Sequence, residues 1–147
     1  MKKSLIPVIF WALIGVFLFM IGQFFIPPVS ELFRGSLLFL GPFIVFSLLG
    51  LALTFLTVRE KIEGTLKKFL ILTGASSAGF FVGVFLHNAF YALGIIASQI
   101  IVLRYLMEAL HVAFFMIAIL VCPLGFLVGV VGSIVMLVKK KRSRLIK

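Results

Sequence analysis

FLILTGASSAGFFVGVFLHNAFYAL, Phe69 to Leu93, holds no Asp, Glu, Lys or Arg in 25 residues. About 20 apolar residues at ~1.5 Å each cross a ~30 Å hydrocarbon core. This run is therefore long enough to span. Three others match it: Leu5 to Ile26, Leu37 to Val58, and His111 to Val138. A segment in lipid must satisfy its own backbone, and strand alternation is missing, so each reads as a helix. The expected fold is an all-α integral membrane protein. It has one domain over residues 1–147, a compact bundle with spans near 5–26, 37–58, 69–93 and 111–138.

Composition agrees. Apolar residues make up 63% of the chain, against ~45–50% in soluble domains even with glycine counted. Mean hydropathy is +1.33. A soluble domain of this size leaves too much surface wet to hide that much apolar area. The single cysteine, Cys122, allows no internal disulfide.

The formal net charge is +10. In a soluble chain that would raise nucleic acid as a partner. Here twelve of the fourteen basic residues fall on alternate connections: Lys2 and Lys3, the 59–68 loop, and the tail from Lys139. Only Arg34 and Arg104 fall on the other side. By the positive-inside rule both termini are cytoplasmic, in the cell membrane. No nucleic-acid partner is expected. The first run is too long for a cleaved signal and reads as an uncleaved anchor. The tail, residues 139–147, suits anionic headgroups at ~1 kcal/mol per basic residue, and reads as frayed.

Some stretches leave alternatives open. Residues 94–110 are too apolar for an ordinary loop and repeat at helical spacing. They read either as an interfacial helix or as outward extensions of the flanking spans. Arg59/Glu63 and Glu63/Lys67 are four apart and can extend a helix by a turn. Pro42 kinks or starts its helix, and Pro123 favours a bend in the last one.

Two small-residue stripes predict helix packing. Ala75, Gly79 and Gly83 fall at four-residue steps, as do Gly125, Gly129 and Ser133. Small residues let helices approach closely in lipid, where packing drives association. The third and fourth spans are expected to pair through them.

Polar residues gather toward the other surface. His87, Asn88, Arg104, Glu108 and His111 form a candidate outer cluster. Arg104/Glu108 and Glu108/His111 have the spacing of helical neighbours. Four acids in the chain are too few for a di-iron site. Two histidines at similar depth raise haem, but no cofactor or metal is expected. Ser76 and Ser77 lie about ten residues from His87, ~15 Å along a helix, beyond hydrogen-bond reach. No run carries the embedded charge that a proton-coupled carrier needs.

The expected function is that of a non-catalytic accessory, anchor or assembly subunit of a larger membrane complex. Its partner would be another membrane protein or a second copy, within the lipid bilayer. The alternative is an oligomeric channel or carrier for a small solute.

Overall fold

The computed structural model describes residues 5–28, 31 and 37–145. Lys2, Lys3, Arg34 and Lys147 lie outside the described residues. Helix α1 is Ile6–Phe25. A 3-10 turn, Leu37–Leu40, leads into α2, Gly41–Arg59. Then come α3, Gly64–Ile96, and α4, Ile101–Met116. A π-helical segment, Ile117–Val121, joins α4 directly to α5, Cys122–Leu145. These make four helical paths long and apolar enough to cross a membrane: Ile6–Phe25, Leu38–Arg59, Gly64–Gln99 and Ile101–Ser143.

Local chemistry sets the boundaries. Pro7 and Pro42 sit in the first turns of α1 and α2, where a missing amide hydrogen costs nothing. Pro42 therefore starts its helix. The α2–α3 turn uses left-handed backbone at Lys61, φ 49°, and at Gly64, φ 73°. Helix α3 begins there, one turn before its apolar run, and takes in Lys67 and Lys68.

Residues 94–110 form no helix of their own. They extend the flanking helices: α3 runs through Ile96, a short turn covers Ala97–Gln99, and α4 starts at Ile101. The pattern of apolar residues at helical spacing continues on both arms. The arms pack side by side at Gly94, where a β-carbon would make an ordinary contact with Met107 at 3.5 Å. The irregularity near Pro123 is the π segment just before it. Proline offers no amide hydrogen to the carbonyl one turn back and crowds it. A widened turn absorbs that mismatch without ending the helix. Along the tail, α5 is helical to Leu145. Lys and Arg are good helix formers and complement a C-terminal dipole.

Helix α3 is the axis of the packing, with α2 on one side and the α4–α5 path on another. Against α2, Gly74 meets Gly50, and the Ser47 hydroxyl donates to the Ala78 carbonyl at 3.4 Å. Against the other arm the seam is Phe69/Gly132, Thr73/Gly129, Ser76/Gly125, Gly79/Cys122 and Gly83/Ala118. Ala75 is exposed. Four-residue steps drift around a helix of 3.6 residues per turn, so the seam keeps to Thr73 and Ser76 instead.

Helix α1 closes the bundle through aromatic contacts. Phe17 lies 4.6 Å from Phe126 of α5 and 5.9 Å from Phe46 of α2, centroid to centroid. A void of about 30 Å³ remains between Phe17, Met20, Phe46, Ser76, Phe80 and Cys122. That is near the room one water needs. Buried hydroxyls mostly satisfy themselves: Thr54, Thr57, Thr73 and Ser77 donate to the carbonyl four residues earlier.

Candidate functional site

The α2–α3 register sets how far the hairpin of α3 and α4 reaches. Gly50 meets Gly74, Ser47 meets Ala78, and Phe43 stacks on Phe80 at 5.8 Å. Continuing that register puts the start of α2, Gly41, level with about Gly83. Helix α3 runs on past this level to Ile96, and α4 returns alongside. The hairpin therefore stands ~15–20 Å beyond the end of α2 at ~1.5 Å per residue.

The polar residues of interest lie on this projection. The His87 and His111 rings stack with centroids 4.4 Å apart and planes at 24°. His87 Nδ1 lies 3.0 Å from the His111 carbonyl oxygen. A carbonyl only accepts, so Nδ1 carries the hydrogen and donates it. This cross-link ties α3 to α4 where the hairpin leaves the bundle. Phe115 packs on His87 at 5.1 Å and Tyr91 on His111 at 5.4 Å. His111 Nδ1 is buried and has no hydrogen-bond partner among the described residues.

Beyond this pair is an open groove of about 400 Å³. Arg104, Glu108 and His111 line one wall; Tyr91 and Ser98 come from the other arm and its turn. Phe90, Gly94 and Ile95 supply apolar lining. The Arg104 guanidinium lies 5.4 Å from the centre of the Tyr105 ring. So the structure gathers Arg104, Glu108 and His111 in one groove, with His87 stacked against His111. Asn88 is separate: it is exposed, and its Nδ2 donates to the Val84 carbonyl at 2.8 Å.

This geometry suits binding by shape and charge. The two imidazoles stack on each other, and with the His87 hydrogen bond they clasp α3 to α4. No group of three or more His, Cys, Asp or Glu able to hold a metal occurs among the described residues. Ser76 and Cys122 line the central void instead of approaching a histidine.

Tyr91 and Ser98 give little signal in the sequence because neither carries formal charge. Their only signal was spacing relative to the polar residues of the partner arm, which becomes visible once the hairpin is closed. Gly50 gives little signal for a similar reason, as a lone glycine in its helix.

No protein-family model, curated protein or solved structure matches this chain.

Proposed function

We propose that this chain is a non-catalytic accessory or assembly subunit of a larger membrane complex, and that its partner grips the α3–α4 hairpin. One observation carries the reading. The hairpin outreaches the end of α2, yet its tip is apolar and open: Ile96 is 77% and Val102 79% exposed. Ile95, Ile100, Ile101 and Leu106 are exposed beside them. An apolar cluster set beyond a bilayer-length bundle calls for a covering surface. Another membrane protein supplies one.

The proposed orientation has both termini in the cytoplasm of a cell-membrane protein, which sets the hairpin on the outer side. The basic residues support it: the 59–68 loop and the tail are rich in them, and the hairpin has only Arg104.

The test is purification from the native membrane in mild detergent, with a photo-crosslinking residue at Val102. Expected is one defined protein crosslinked at Val102 and retained through purification. An Ile96→Ser, Ile101→Ser, Val102→Ser variant should lose it while keeping its melting temperature. Crosslinks to lipid alone would overturn the proposal. So would a partner-free oligomer that leaks solute from liposomes, which is the behaviour of a channel.

A further inference from the structure

At the opposite end of the bundle the α2–α3 turn and the end of α5 enclose a second groove, of about 590 Å³. Its charged lining is Lys61, Lys139 and Lys140 against one carboxylate, Glu63. Thr65 and Ser143 add hydroxyls, while Ile62, Leu66 and Met136 add apolar surface. We propose that this groove holds the headgroup of one anionic glycerophospholipid from the adjoining leaflet. The phosphate lies among Lys61, Lys139 and Lys140, and the acyl chains descend past Leu66 and Met136.

The order of residues along α5 supports a lipid standing upright in its leaflet. Met136 lies one turn toward the apolar span, Lys139 and Lys140 follow at the end of that span, and Ser143 is one turn farther out. An amphiphile whose tail enters the bilayer meets apolar, cationic and hydroxyl groups in that sequence. A free phosphate would use the cations and ignore the apolar wall. Charge is complementary as well: three ammonium groups outnumber the one carboxylate, and Glu63 with the two hydroxyls suits a hydroxylated headgroup such as glycerol.

Lys61 adds an independent sign. Its φ of 49° is a left-handed conformation that a lysine adopts at a cost. Glycine or asparagine would suit that position better on conformational grounds. A lysine held there in spite of the backbone points to a role for its charge. The site asks nothing of a protein partner and stands apart from the hairpin reading.

The experiment uses the full chain purified in mild detergent and compares phosphatidylglycerol with phosphatidylcholine by native mass spectrometry. One phosphatidylglycerol per chain should persist, and phosphatidylcholine should not. The K61Q/K139Q/K140Q variant should lose at least tenfold in lipid affinity. K67Q/K68Q/K141Q removes the same charge outside the groove lining and should lose less than twofold. Lys61→Gly tolerates the backbone and keeps the fold, so a weakened lipid signal there would not reflect unfolding. Equal losses in the two triple variants would mean diffuse attraction and would overturn the site. So would equal retention of phosphatidylcholine, or displacement of the lipid by soluble glycerophosphoglycerol at matching concentration.

Discussion

Gly50 of α2 and Gly74 of α3 cross backbone to backbone. A β-carbon on either would come to 2.6 Å from the other's carbonyl oxygen. Such an approach matters more in lipid than in water, because lipid tails give no hydrophobic push between helices. What holds α2 to α3 is contact itself. Gly50→Ala is therefore expected to destabilise the fold by about 1–3 kcal/mol, the usual range for overpacking. Gly15 is the control, because a β-carbon there would have nothing within 4 Å. Gly15→Ala should leave unfolding in a denaturing-detergent titration unchanged. Equal effects of the two substitutions would contradict the crossing.

The α3–α5 seam predicts a ranking. A β-carbon at Gly129 would lie 2.7 Å from the Thr73 backbone nitrogen, and a helix backbone cannot step aside. At Gly79 the nearest atom is the Cys122 sulfur at 3.3 Å, a side-chain atom with some freedom. Gly129→Ala should cost more than Gly79→Ala, by about 1 kcal/mol or more within the overpacking range. Leucine at either position should cost more still. Thermal melting in detergent reads the order, and a reversed ranking would refute the seam.

The four helices long and apolar enough to cross a membrane were legible in the sequence because lipid imposes two plain rules, apolar length and a self-satisfied backbone. The run at Phe69–Leu93 needed nothing else. The small-residue stripes were legible as a pairing of the third and fourth spans, but their register was not. Counting in fours puts Ala75 on the seam; the helix turns every 3.6 residues, and Thr73 and Ser76 occupy the seam instead. Residues 94–110 were ambiguous because an interfacial helix and a long hairpin share one apolar period. The hairpin groove was legible only in Arg104, Glu108 and His111, whose spacing lies along one helix. Tyr91 and Ser98 belong to the other arm and turn, and pairing across a hairpin needs the register.

Gln23 is buried at 1% exposure, and both its amide atoms lack hydrogen-bond partners among the described residues. An unsatisfied buried amide costs about 1–3 kcal/mol. Methionine is similar in length and has no such demand. Gln23→Met should therefore raise the melting temperature in detergent. A fall would show that the amide has a partner that stabilises the native state.

Orientation has its own test. Reporters fused after Lys147 and within the 27–36 loop should lie on opposite sides of the membrane, with the Lys147 reporter cytoplasmic. Removing the excess charge should weaken that preference: R59Q/K61Q/K67Q/K68Q should give a mixed population, since charge bias on short loops sets the insertion direction. Reporters on one side would end the four-span topology.

The His87–His111 clasp predicts how firmly the hairpin is held. Phenylalanine at 87 keeps the ring contacts to His111 and Phe115 but gives up the hydrogen bond to the His111 carbonyl. That loss should be about 0.5–1.5 kcal/mol. Alanine loses the bond and the rings together, and an aromatic pair alone adds about 0.5–1.5 kcal/mol beyond its burial. Stability should fall from wild type to His87→Phe to His87→Ala. Arg104 supplies a local readout, because it is the one trypsin site between Lys68 and Lys139. Cleavage at Arg104 should quicken in the same order if the clasp holds the two arms together. Equal cleavage rates with unequal melting would mean that the histidines stabilise the bundle without restraining the hairpin.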